Sequence, residues 1–217
     1  MKEKSIVSKQ VWIGDAVAHL KAVDPTLRRV IEKVGPCELP HHRDRYATLV
    51  RSIISQQIST KAADSIHRRL CEAIAPEGLE APIIAALSEE QMQAVGLSPQ
   101  KRRYLRDLTE KVVAGTVRLS QLHRRTDDEV IEELTLVKGI GVWTAQMFLI
   151  FSLNRPNVFP ADDLGIRNAI RNLYRLKSVP EKKQSHEIAA PWAPYGSVAA
   201  WYCWRSLDFP VETWQQD

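Results

Sequence analysis

Cysteine is scarce in this chain: Cys37, Cys71 and Cys203 stand far apart among 217 residues. That spacing excludes a CxxC zinc pattern and argues against a disulfide framework, so the three read as reduced thiols of an intracellular protein. Long apolar runs are missing as well. None approaches the roughly 20 residues that a membrane span requires, and the opening stretch MKEKSIVSKQ lacks the apolar region of a signal peptide. No membrane partner is expected. Neither sign of charge dominates, and the formal net charge of +4 permits a polyanionic partner without demanding one. Alternating β-branched runs are few, and there is no internal repeat or low-complexity linker. His41 and His42 are adjacent, but no second ligand pair follows at a metal-binding spacing, so no metal is expected.

What is present is helical punctuation. Apolar residues recur at spacings of three and four, which predicts an almost entirely helical chain. Asp24 and Pro25 supply an N-cap and a first-turn proline, after which Leu27, Val30, Ile31 and Val34 form one stripe that Gly35-Pro36 ends. Tyr46, Leu49, Val50, Ile53 and Ile54 form a second. Ser88 to Gln91 and Thr126 to Glu129 have the spacing of capping boxes, while Gly96 and Gly115 sit where helices of that length would stop. The pattern predicts about eight to ten helices. The stretch from Ala75 to Pro82, with Pro76, Gly78 and Pro82, is the best candidate for a hinge between lobes. The basic clusters at Lys101 to Arg103, Arg124-Arg125 and Lys182-Lys183 are either solvated helix faces or nucleic-acid contacts.

Two segments carry chemistry. In the first, Leu136 to Ala145, a Gly139-Ile140-Gly141 turn lies between an apolar helix end and the start of another apolar helix. Glycines so spaced suggest positive φ and bare backbone N–H groups, beside the positive dipole end of the following helix. Such a turn can hold a phosphate without reading a base, or it can be an ordinary helix-to-helix turn. The second segment runs from Asn157 to Arg167 and contains the adjacent carboxylates Asp162 and Asp163.

The turn, an intervening apolar helix, and then Val158-Phe159-Pro160-Ala161-Asp162-Asp163-Leu164-Gly165-Ile166-Arg167 resemble the helix-hairpin-helix DNA glycosylase superfamily, and within it the 3-methyladenine DNA glycosylase II branch. A third block, Leu49 to Ser59, extends the resemblance, which runs from about Tyr46 to Leu207. It implies an all-α fold of two helical lobes with a DNA-binding cleft between them. It further implies one glycosylase unit over residues 1–217, with the helix-hairpin-helix motif at about 126–154. The residues ahead of Tyr46 are too few and too helix-like for the N-terminal sheet domain that some relatives carry, and that domain is expected to be absent.

The same resemblance assigns the site. Asp163 matches the catalytic carboxylate, just inside the next helix, with Asp162 the competing candidate and otherwise an N-cap. Trp143 stands where bifunctional members carry a nucleophilic lysine; an indole cannot form a Schiff base, so a monofunctional, water-using enzyme is implied. The iron–sulfur branch is excluded, since a cluster needs four grouped cysteines. Trp143, Met147 and Trp201 match substrate-pocket positions, Met147 where some relatives have tyrosine. Gln56 and Gln57 match the wedge that fills the gap left by a flipped nucleotide, Gln57 being the better aligned. Gly139, Ile140, Gly141 and Thr144 are implied DNA contacts. The implied reaction is excision of alkylated purines such as 3-methyladenine and 7-methylguanine in base excision repair, with no cofactor. The implied partner is duplex DNA bearing alkylated bases, bound by a monomer. A glycosylase of this fold for another lesion, and a non-catalytic DNA-binding protein that keeps the hairpin, stay open as alternatives.

Overall fold

A computed structural model of the chain describes residues 2–214, with side chains from Trp12 onward. The described residues contain no strand, and their α-helices are α1 (Lys2–Val23), α2 (Pro25–Val34), α3 (Arg45–Ser55), α4 (Thr60–Ala73), α5 (Ala81–Ala86), α6 (Glu89–Ala94), α7 (Pro99–Val113), α8 (Asp127–Thr135), α9 (Val142–Phe151), α10 (Leu164–Leu173), α11 (Lys182–Ala189) and α12 (Gly196–Ser206). This exceeds the number expected from apolar stripes, because α5 and α6 have six residues each and are too short to show one. The caps lie where side-chain chemistry places them. Asp24 accepts from the Thr26 and Leu27 amides at the start of α2, and Ser88 with Gln91 and Thr126 with Glu129 close reciprocal capping boxes on α6 and α8.

The chain divides into two units, one of residues 1–40 with 154–217 and one of residues 41–153. The Pro- and Gly-bearing stretch 75–82, expected as a hinge, therefore lies inside the second unit, where it leads from α4 into α5.

In the first unit α1, α2, α10 and α12 bury Leu20, Leu27, Val30, Ile166, Ile170, Val198 and Tyr202 around Trp192. Asp24 ties this core together. Its Oδ1 caps α2, while its Oδ2 accepts from the Tyr174 hydroxyl at 2.5 Å and the Trp192 Nε1–H at 2.7 Å. A carboxylate with four donors can be buried without the desolvation cost of an unpaired charge.

In the second unit α7 lies against α3, α5 and α6, α3 against α4 and α9, and α8 against α9, burying Leu49, Ile53, Leu70, Ile84, Leu105, Leu108, Leu134 and Phe148. The basic cluster Lys101 to Arg103 proves largely structural. Lys101 is buried and donates to the Ile54 carbonyl at 2.7 Å, at the end of α3, and Arg102 pairs with Glu89 at 2.8 Å. Only Arg103 of the three is exposed.

Candidate active site

The second unit contains the glycine turn. Helix α8 ends at Thr135, the Ile140 amide donates back to the Val137 carbonyl at 3.0 Å, and α9 begins at Val142 with Gly141 as its N-cap. Gly141 brings no capping side chain to the first turn of α9. A helix start without a side-chain cap presents its first amides and its positive dipole end outward. The two glycines differ in conformation. Gly139 has φ +84°, the left-handed region, and a Cβ there would lie 2.1 Å from the Tyr104 ring. Gly141 has φ −96°, and a Cβ there would meet nothing within 4 Å. The expectation of positive φ thus holds for the first glycine only.

The turn is fastened from two sides. Gln56, the residue that ends α3, donates from Nε2 to the Gly139 carbonyl at 2.8 Å. Asp107 on α7 accepts from the Lys138 amide at 2.8 Å and from the Lys111 ammonium at 2.6 Å. Burial alone would raise the Asp107 carboxyl, but the Lys111 hydrogen bond and the Lys138 amide outweigh it and hold the group below the usual carboxylate range. Gln57 is exposed with φ +57°, so the two glutamines proposed for one role stand in different settings. Ile140 and Thr144 are buried, whereas Leu136, Val142 and Trp143 beside the turn are exposed, Trp143 by 46%.

A cavity of about 590 Å³ opens along α9. Thr144, Met147, Phe148 and Phe151 form its wall on that helix, and His67 reaches it from α4. Two residues expected at the site, Thr144 and Met147, therefore share this cavity, and Trp143 does not line it.

The first unit holds the carboxylates. Pro160 turns the chain, the Asp163 amide donating to its carbonyl at 2.9 Å, and α10 follows. Asp163 is the N-cap of α10, one residue before the position expected for it, and the capping role assigned above to Asp162 falls to Asp163. Its Oδ1 accepts the Ile166 amide at 2.8 Å. The same oxygen accepts the Trp204 Nε1–H at 3.0 Å from α12, 41 residues along the chain. Gly165 adjoins this pair, and a Cβ on it would stand 3.0 Å from Asp163 Oδ1, a tight contact, and 3.4 Å from Trp204 Cδ1. Asp162 instead is exposed and pairs with Lys182 at 2.5 Å. Trp201 is half-buried against the core and meets Tyr202 edge to face with centroids 4.9 Å apart. Trp204 was not singled out in the sequence, although its place one helical turn after Trp201 is the pattern that brings both to one side of α12.

Residues 50–194 match the model of the HhH-GPD superfamily base excision DNA repair protein. The chain belongs to the HhH-GPD superfamily. Among its relatives is DNA-3-methyladenine glycosylase 1 of Schizosaccharomyces pombe, 37% identical over 94% of this chain and 90% of the relative. Among solved structures, the S. pombe 3-methyladenine DNA glycosylase Mag1 in complex with abasic DNA is similar with a TM-score of 0.80 at 36% identity, covering 91% of this chain and 98% of that one. The DNA-3-methyladenine glycosidase of Bacillus halodurans has a TM-score of 0.80 at 33% identity, with 88% of each chain covered. In this HhH-GPD chain no group of three or more His, Cys, Asp or Glu among the described residues could hold a metal ion, and no helix there is long and apolar enough to cross a membrane.

Proposed function

We propose that this protein is a monofunctional DNA glycosylase that excises alkylated purines, with Asp163 as its catalytic carboxylate. The observation that carries the reading is the Asp163 side chain itself, held by two N–H donors on one oxygen at the start of α10, in a chain of the base excision superfamily. The names of the relatives support the substrate class: S. pombe and B. halodurans members are called 3-methyladenine enzymes.

The chemistry follows from the residues. A base inside a duplex must be rotated out before a protein side chain can reach its sugar. The glycine turn and the uncapped start of α9 offer amides to a phosphate, and Gln56 or Gln57 fills the vacated space. As the bond between C1′ and the base nitrogen breaks, the electron pair leaves with the base and positive charge builds on the sugar. Ionised Asp163 stabilises that charge, and the oxygen of a water molecule bonds to C1′ while its proton passes to the carboxylate or to solvent. A cationic 3-methyladenine or 7-methylguanine departs as a neutral base and needs no protein acid. Flat indole faces, those of Trp143 and Trp201, favour such cations, each by on the order of 0.5 to 2 kcal/mol. Trp143 carries no amine, so no Schiff base forms there and the abasic strand stays intact.

Incubating the protein with duplexes that each carry one defined lesion, and identifying released bases by mass spectrometry, tests the reading. Release of 3-methyladenine and 7-methylguanine, an uncut abasic strand and no borohydride-trapped complex are expected. Preference for neutral oxidised or mismatched bases, or robust trapping, would overturn it.

A further inference from the structure

We infer that Trp204 is a positioning residue for the reaction, fixing the Asp163 carboxylate through its indole N–H. The inference rests on the reading of Asp163 as the catalytic carboxylate. A carboxylate at a helix start normally spends itself on capping, and its second torsion is broad and two-fold. Here the capping amide of Ile166 and the indole of Trp204 both address Oδ1, at 2.8 Å and 3.0 Å, so two donors from different directions select one orientation of the group. The indole comes from α12 and the amide from α10, two helices in contact within one unit.

Trp204 is rigid in turn. It packs against the buried core of its unit, and beside the carboxylate its ring lies in van der Waals range of Gly165. An indole donates a hydrogen bond without bringing a positive charge. It therefore orients the carboxylate without adding a positive charge of its own that would oppose the developing cation on the sugar.

Trp204→Phe keeps an aromatic ring and removes the donor. Loss of a hydrogen bond to a charged group predicts single-turnover excision of 7-methylguanine from duplex DNA lowered roughly 10- to 100-fold, with DNA affinity unchanged. With protein in saturating excess the rate of the bound complex should carry the whole loss, while the protein concentration giving half-maximal rate stays at the parent value. A purely structural role would lower the folded fraction or DNA affinity and leave the rate of the bound complex at the parent value. Gly165→Ala is the second variant, since its Cβ at 3.0 Å presses on Oδ1 while an alanine suits a helical first turn; the rate of the bound complex should fall there too. Asp163→Asn separates the two claims. If Asp163→Asn is inactive but both other variants keep the parent rate in the bound complex, the positioning role is wrong and the carboxylate assignment stands. If Asp163→Asn keeps full activity, the carboxylate assignment is wrong and the positioning role falls with it.

Discussion

Gly139 and Gly141 are one residue apart and are interchangeable in a sequence pattern, but their surroundings separate them. At Gly139 a side chain would be strained twice, by a φ of +84° and by the Tyr104 ring that lies where its Cβ would go. At Gly141 there is open space and ordinary extended backbone. Gly139→Ala should therefore lower stability by about 1 to 3 kcal/mol or more, a cost typical of a non-glycine residue forced into left-handed backbone. Gly141→Ala should change stability by less than about 1 kcal/mol, since alanine is merely a poorer N-cap. Urea unfolding of both variants checks this, and equal losses would mean the turn is not shaped as described. The carboxylate pair shows a similar limit of sequence. Two adjacent aspartates before a helix cannot be told apart by spacing alone, and what distinguishes their surroundings, an indole donor on Asp163 and a surface lysine on Asp162, comes from residues 41 and 20 positions away.

Among elements, the caps were legible because they are local: Asp24 with Pro25, Ser88 with Gln91 and Thr126 with Glu129 each satisfy amides within three residues. The support of the glycine turn was not, because it comes from α3 and α7 through Gln56, Tyr104 and Asp107, none of which belongs to the hairpin pattern. Asp107 links α7 to the turn through the Lys138 amide and is held below the usual carboxylate range. A carboxyl whose folded value is depressed contributes stability that is fully present above its unfolded value, about 3.9, and is lost as pH falls through the lower folded value. Asp107→Asn should thus be less stable than the parent chain at neutral pH, and the two should converge in strong acid. Denaturant midpoints measured at both ends of that range check the sign; a difference that persists unchanged into acid would show that the charge is not what matters.

At the scale of the whole molecule, the helical class and the superfamily were readable because three blocks occur in order. The division into units was not. Residues 1–40 join 154–217 across the intervening unit, so the changeovers fall at 40/41 and 153/154, and the prolines and glycines of 75–82 mark turns inside one unit. Local breakers signal where a helix ends and carry no information about which helices share a core. The central claim, that Asp163 carries the excision chemistry, is tested most directly by single-turnover release of 3-methyladenine from alkylated duplex DNA by Asp163→Asn and Asp162→Asn side by side. The substitution at Asp163 keeps shape and removes charge, and should lower the rate by about three orders of magnitude or more while DNA affinity is retained. Asp162→Asn breaks only an exposed pair with Lys182 and should stay close to the parent rate. Full activity in Asp163→Asn, with the loss appearing in Asp162→Asn, would contradict the account.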